Sequence, residues 1–215
     1  MDNFTRLLAI RHGETAWNVD TRIQGHLDIP LNENGRWQAE RVGRALAGRD
    51  PIDAIYSSDL SRAHETARAI AGHTGAPLVL HTGLRERGFG SFEGQTYDEI
   101  ARRWPEESER WRQRHPDWMP PDGGESLVQV RERILRTVRE IVDGHPGQQV
   151  VLVAHGGVMD QLYRLATGQD LQAPRTWNLG NTAVNRLLWN TEGLSLVGWA
   201  DVSHLEDSSL DEIST

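Results

Sequence analysis

The chain of 215 residues contains no cysteine, which excludes thiol nucleophiles, disulfide bonds and cysteine-ligated metals. It is also short of positive charge: 31 acidic residues against 23 basic ones give a net charge of −8. Nucleic-acid-binding proteins usually carry a basic surface, so we expect no nucleic-acid partner. An anionic ligand would need a local positive pocket within this acidic protein.

Long apolar segments are missing as well. No run is long enough to span a bilayer, and the N-terminus lacks the charged-then-apolar pattern of a signal peptide. We therefore expect no membrane partner and a cytoplasmic location. Neither the Gly-x-x-x-x-Gly-Lys-Ser/Thr loop nor the Gly-x-Gly-x-x-Gly fingerprint occurs, so a plain nucleotide-binding module lacks its expected signature.

Two short apolar runs each end in a histidine followed by glycine. They are residues 7–10, before Arg11-His12-Gly13, and residues 150–154, before His155-Gly156-Gly157. Such runs are typical of buried strands in a parallel sheet. Because ligands bind beyond the carboxyl ends of strands in open α/β sheets, both histidines are predicted to lie at one site.

The rest of the chain alternates between strand and helix patterns, which predicts an α/β fold: a three-layer sandwich with a mostly parallel central sheet and some antiparallel edge. Further strands are expected at 53–56, 78–80, 182–189 and 194–199. Helices are expected after Asn32, after a cap at 57–59, and after a Ser126–Gln129 capping box.

We expect a single domain over residues 1–205, with a small cap region at about 96–124. The cap contains Trp104, Trp111, Trp118 and Met119, which either border the site or simply pack on the core. Residues 206–215 are acidic and short of apolar side chains, so they are predicted to be a flexible tail.

The motif Arg11-His12-Gly13-Glu14-Thr15 with Asn18, followed by Ala154-His155-Gly156-Gly157, resembles the histidine phosphatase superfamily, which includes cofactor-dependent phosphoglycerate mutases. The resemblance extends from about Leu7 to Trp199. It implies a phosphoglycerate mutase-like fold and a phosphoryl-transfer enzyme whose partner is a small phosphorylated substrate.

The resemblance assigns the chemistry to five residues. His12 would be the nucleophile that forms a phosphohistidine, with Arg11 and Arg62 as forks of donors for the phosphoryl oxygens. The two arginines would keep the imidazole of His12 neutral, and we expect a backbone carbonyl in the Gly13 turn to hold its other nitrogen. His155 would donate a hydrogen bond to the phosphoryl group, and Glu86 would act as general acid and then general base.

Further substrate contacts are assigned by the same resemblance to Asn18, Gln24, Gly25 and Gly156. The spacing of acidic residues does not by itself choose Glu86 over Glu14, Glu93 or Glu99. The seven remaining histidines show no metal-ligand spacing, so no metal is implied. They are expected at the surface or in loops: His26, His64, His73, His81, His115, His145 and His204.

The segment 84–96 looks like the phosphatase branch, because mutases carry a Glu-Arg-His-Tyr-Gly type sequence there. We therefore expect a phosphomonoester hydrolase that needs no cofactor. One alternative is a phosphoglycerate mutase primed by 2,3-bisphosphoglycerate, and another is an inactive member that binds phosphorylated ligands. A homodimer is compatible with the sequence. The cap tryptophans favour substrates with an apolar or aromatic tail over a small, doubly charged acid.

Overall fold

The computed structural model describes residues 4–49 and 51–206, which form a six-stranded sheet in the order β3-β2-β4-β1-β5-β6. The strands are β1 (Thr5–Arg11), β2 (Ala54–Ser57), β3 (Leu78–Leu80), β4 (Gln149–Ala154), β5 (Val184–Asn190) and β6 (Gly193–Asp201). The first four pair in parallel, and β5 and β6 add an antiparallel edge. The predicted α/β class and mostly parallel sheet are confirmed.

Seven α-helices are found in the described residues, two of them in the cap region. They are α1 (Ala16–Val19), α2 (Glu33–Ala47), α3 (Ser61–Thr74), α4 (Tyr97–Arg103), α5 (Pro105–Arg112), α6 (Leu127–Asp143) and α7 (Gly156–Thr167). Short 3₁₀ turns occupy Thr82–Leu84, Gly90–Phe92 and Ser203–Leu205. None of the helices in the described part of the chain is long and apolar enough to cross a membrane.

The two faces of the sheet bury separate apolar clusters. On one face β1 and β4 pack against α2 and α3, through residues such as Ile10, Val42 and Ile70. On the other face the same strands pack against α6 and α7, through residues such as Ile134 and Leu162. Helices thus cover both faces of the sheet, which confirms the three-layer sandwich.

Pairing between β1 and β4 brings the two histidine motifs together. Arg11 lies opposite Ala154 in the parallel register, and the His12 N–H donates to the carbonyl of Ala154 at 2.9 Å. Because the strands end at the same level, His12 and His155 leave the sheet side by side. Parallel pairing therefore places the site where the apolar runs predicted it.

The predicted caps hold at two helices and fail at a third. Asn32 caps α2, and Ser126 and Gln129 form the capping box of α6. The cap predicted at 57–59 is wrong, because α3 begins after Leu60 without a side-chain cap. Asp59 instead pairs with Arg85, and Ser58 faces His155.

The described chain ends in a packed turn. His204 is buried against α2 rather than at the surface, and the Arg41 guanidinium donates to its carbonyl at 2.7 Å. Packing of this turn explains why His204 departs from the surface location predicted for it. The acidic tail predicted at 206–215 lies outside the described residues, apart from Glu206.

Candidate active site

A cavity of about 450 Å³ opens at the carboxyl ends of β1 and β4. All of the predicted site residues line it except His155, which is fully buried beside His12. The residues brought together in the lining are Arg11, His12, Asn18, Gln24, Gly25, Arg62, Glu86 and Gly156. Their convergence makes this cavity the candidate active site.

His12 is held in one orientation and one protonation state. Its Nδ1 lies 2.6 Å from the Gly13 carbonyl, as predicted, so this nitrogen carries the proton and Nε2 keeps its lone pair. Burial lowers the pKa of His12 well below its usual value, and the Arg62 and Arg11 charges lower it further. The neutral imidazole is therefore the form present near neutral pH.

His155 lies next to His12, with their ring centroids 5.2 Å apart. Its Nε2 is 2.8 Å from the Ser58 hydroxyl, and its Nδ1 is buried without a hydrogen-bond partner among the described residues. Burial, followed by the Arg62 charge, lowers the pKa of His155 well below its usual value. An oxygen of a bound ligand could provide the missing partner for Nδ1.

Arg62 and Arg11 are anchored by backbone carbonyls. Arg62 is 1% exposed and donates to the carbonyls of Gly25 at 2.8 Å and Leu27 at 2.9 Å. Burial lowers its pKa to about 10, which still leaves the guanidinium charged at neutral pH. Arg11 donates to the Leu179 carbonyl. The Nε of each arginine is buried without a partner in the described chain, so each retains a donor for an anion.

Glu86 is bound at the start of α7. The Gly157 N–H lies 3.0 and 3.1 Å from its two carboxylate oxygens, and the Arg87 N–H donates to Oε1 at 2.7 Å. The positive end of a helix stabilises a carboxylate in this position. A Cβ on Gly157 would lie 2.3 Å from Oε1, so a larger residue at this position would displace the carboxylate.

The rival carboxylates are engaged in holding loops. Glu14 accepts from the Asn32 side chain at 2.8 Å, and Glu93 accepts from the backbone N–H of Phe89 at 2.9 Å. Glu99 accepts from the Thr96 N–H in the capping box of α4. Glu86 is the one of the four that lines the cavity, a distinction that the sequence spacing did not make.

The neutral groups predicted to contact substrate also lie at the cavity. The Oδ1 of Asn18 accepts from the Thr15 N–H at 3.1 Å, and the Oε1 of Gln24 is buried without a partner in the described residues. Gly25 adopts φ +51°, and a Cβ there would overlap the Glu93 carboxylate. This conformation turns the Gly25 carbonyl toward Arg62.

Part of the cavity wall was missed by sequence reasoning. Its additional residues include Trp17, Arg87, Tyr97, Arg114, Asp160, Gln161 and Arg175. Arg87 follows Glu86 directly, and Gly157, which binds Glu86, is the last residue of the His-Gly-Gly motif; both positions could have been identified. Nothing in the local pattern of Arg114 or Arg175 indicated a ligand.

The cap side chains show both of the alternatives that the sequence left open. Trp104, Trp111 and Trp118 all pack around Phe92, with ring centroids 5.4, 5.6 and 5.9 Å away, and of the three only Trp111 also lines the cavity. Met119 is exposed. Packing on Phe92 removes the apolar surface of the indole rings from water, so the cap tryptophans contribute mainly to the apolar core. Among the described residues, no three His, Cys, Asp or Glu side chains are grouped as metal ligands.

The family model of the histidine phosphatase superfamily (branch 1) matches residues 7–202. "Phosphoglycerate mutase-like protein 4" of Arabidopsis thaliana is 39% identical, covering 96% of this chain and 89% of the relative. "Metal-independent phosphoserine phosphatase" of the same organism is 37% identical, covering 94% and 83%. The solved structure of Bacillus stearothermophilus YhfR matches with a TM-score of 0.85 at 36% identity, covering 94% of this chain and 100% of that one. The chain is therefore a phosphatase that belongs to the histidine phosphatase superfamily.

Proposed function

We propose that the protein hydrolyses phosphomonoesters through a phosphohistidine formed on Nε2 of His12. The observation that carries this proposal is the environment of His12. A neutral imidazole with a fixed Nδ1–H lies between two guanidinium groups, and each of these has a donor left over. A phosphoryl group bound by both arginines would bring its phosphorus atom to Nε2.

In the first step Nε2 of His12 attacks phosphorus, the bond from phosphorus to the ester oxygen breaks, and protonated Glu86 gives its proton to that oxygen. In the second step Glu86 takes a proton from water, whose oxygen attacks phosphorus as the phosphorus–nitrogen bond breaks. Inorganic phosphate leaves and neutral His12 returns. One carboxyl group thus serves as acid and then as base.

Charge on the phosphoryl oxygens would be stabilised by Arg11, Arg62 and the Nδ1 of His155. Phosphoryl transfer depends mainly on positioning and electrostatic stabilisation, which these buried donors supply. No metal is then required, and the name of the phosphoserine phosphatase relative is compatible with this view. Activity should persist in excess EDTA; loss that only a divalent ion restores would contradict the mechanism.

Water rather than a second hydroxyl is proposed as the acceptor. A mutase must retain its intermediate and exclude water, which calls for a close-fitting lid. The cap here consists of the short helices α4 and α5 and the irregular segment that follows them, and its tryptophans pack on Phe92. Supplying 3-phosphoglycerate with catalytic bisphosphoglycerate tests the choice: free phosphate should be the main product, and rapid formation of 2-phosphoglycerate would favour the mutase.

The intermediate can be trapped directly by rapid acid-free quenching during turnover of a labelled aryl phosphate. We expect label on the protein that is stable in base and labile in acid, absent from His12→Ala and retained in the control His115→Ala, which changes an exposed histidine. Label on serine or aspartate would contradict the proposal.

The cytoplasmic location and the homodimer stay predictions. Cell fractionation would test the location, and analytical ultracentrifugation would test the oligomeric state.

A further inference from the structure

The main chain of Glu86 is held separately from its side chain. The N–H groups of Gly157 and Arg87 bind the carboxylate, whereas the main-chain carbonyl accepts from two other side chains. These are His26, whose Nε2 lies 2.7 Å from the carbonyl oxygen, and Arg133, whose Nη2 lies 3.3 Å from it. Neither of the two lines the cavity, so their contacts act on the proton donor and not on the substrate directly.

Arg133, on α6, binds the whole segment that leads to Glu86. Its Nη1 donates to the carbonyls of Gly83 at 2.8 Å and Arg85 at 2.9 Å, in addition to the contact of Nη2 with Glu86. The Glu125 carboxylate accepts from Nε and from Nη2, each at 2.8 Å, which fixes the plane of the guanidinium. A fork of five donors can serve these partners together, and the three donors of an ammonium could not. Arg133 therefore fixes the backbone of this segment to α6.

His26 connects Glu86 to the arginine that is proposed to bind the phosphoryl group. The residues on either side of His26 accept from Arg62: the Gly25 carbonyl at 2.8 Å and the Leu27 carbonyl at 2.9 Å. The imidazole donates from Nε2 to Glu86, because a carbonyl oxygen can only accept. Three consecutive residues therefore contact both the phosphoryl-binding cation and the proposed general acid.

We propose that His26 and Arg133 are positioning residues for Glu86: they set the distance of its carboxyl group from the bound phosphoryl group. Proton transfer needs a separation near hydrogen-bond length, and a displacement of about 1 Å can slow a reaction about 100-fold. The inference depends on the proposed function, because it needs Glu86 as the acid. It gives a role to His26, which the sequence predicted only as a surface or loop residue.

His26→Ala is the first test, because this side chain is exposed and its removal leaves the apolar clusters intact. The ratio of kcat/KM for glycerol 3-phosphate to that for para-nitrophenyl phosphate should fall about threefold to tenfold, the size of one hydrogen bond. The aryl ester needs less help from the acid, so it should change less. The inhibition constant of inorganic phosphate should stay unchanged, because Arg62 keeps its carbonyl partners. His115→Ala, at another exposed histidine, should change neither quantity.

Arg133→Lys tests the shape of the guanidinium with its charge retained. A lysine can pair with Glu125 but has too few donors to bind the carbonyls as well, so the same ratio should fall about tenfold. Arg139→Lys is the matched control, since it changes an exposed arginine on the same helix and should leave the ratio unaltered. Thermal melts verify that each variant is folded.

A wild-type ratio in His26→Ala would overturn the proposal, and it decides the question alone if Arg133→Lys does not fold. An equal loss on the alkyl and aryl esters would also overturn it, because the effect would then not act through the acid. Failure of the proposed function gives other results: no label on His12 in the wild type, or an unchanged ratio in Glu86→Gln. Unchanged ratios in the positioning variants beside a lowered ratio in Glu86→Gln contradict this inference alone.

Discussion

The two ends of the cavity are built in different ways. At the phosphoryl end, His12 and His155 follow the paired strands β1 and β4, and Arg62 is fixed by the start of α3. At the far end, Trp111 comes from the cap, and Arg175 comes from an irregular segment between α7 and β5. One end is positioned by the sheet and the other mostly by connecting segments.

This difference predicts that the two ends determine different properties of the enzyme. Strands buried on both faces hold catalytic groups rigidly, whereas connecting segments can change without disturbing the sheet. Reaction type should therefore depend on the strand ends, and the choice of organic group should depend on the far end. Variants at the two ends should then fail in different ways.

The largest loss is expected at the nucleophile. His12→Ala should lower kcat by about 10⁴-fold or more on every phosphomonoester, because no other group can accept the phosphoryl. The loss should be the same for aryl and alkyl esters, as measured by phosphate release with circular dichroism to verify the fold. A loss confined to one type of organic group would contradict the view that the phosphoryl end determines the reaction and the far end determines the choice of substrate.

Glu86→Gln should be the next most damaging change, and its effect should depend on the leaving group. General acid catalysis contributes about 10²–10⁴-fold, and an activated aryl leaving group needs less of it. The ratio of alkyl to aryl turnover should therefore fall in this variant. Equal losses on both esters would mean that the acid is another residue.

Gly157→Ala should reproduce that pattern although it leaves the Glu86 side chain itself in the protein. The added Cβ would lie 2.3 Å from Oε1 of Glu86, so the carboxylate must move from its place at the start of α7. We expect the alkyl-to-aryl ratio to fall by about tenfold to a hundredfold, part of the Glu86→Gln effect. Gly72→Ala is the matched control, since a Cβ there meets nothing within 4 Å. A Gly157→Ala enzyme with the wild-type ratio would show that Gly157 does not position Glu86.

The phosphoryl end was also the more predictable from the sequence. Apolar runs that end in His-Gly indicate strand ends, and parallel pairing brings such ends together, so His12 and His155 could be placed in one site. The choice of Glu86 came from family resemblance, since acidic spacing left three rivals open. Arg114 and Arg175 could not be found, because their positions depend on where irregular segments fold back onto α7.

Acid should lower the free energy of unfolding through the two histidines of the phosphoryl end. His12 and His155 have lowered pKa values in the folded protein, so below about pH 6.5 the unfolded chain binds protons that the folded chain does not. The free energy of unfolding should then fall by up to about 1.4 kcal/mol per pH unit for each histidine as the pH decreases. His204, whose pKa is also lowered by burial, contributes in the same direction.

Urea unfolding at about pH 7.5 and about pH 5.5 measures this loss. The double variant His12→Gln, His155→Gln should lose less stability between the two pH values than the wild type, whereas His115→Gln should lose as much. A double variant with the wild-type pH dependence would mean that these histidines do not stay neutral in the fold.

The smallest effect is expected at the far end, where Trp111 and Trp104 provide a matched pair. Both rings pack on Phe92, at 5.6 and 5.4 Å between centroids, but only Trp111 of the two lines the cavity. Trp111→Leu should raise KM about threefold to tenfold, the size of one lost aromatic contact, with little change in kcat. Trp104→Leu should lower thermal stability as much as Trp111→Leu does, but it should leave KM unaltered. If both variants raise KM equally, substrate binding depends on the packing of the whole cap and not on direct contact with Trp111.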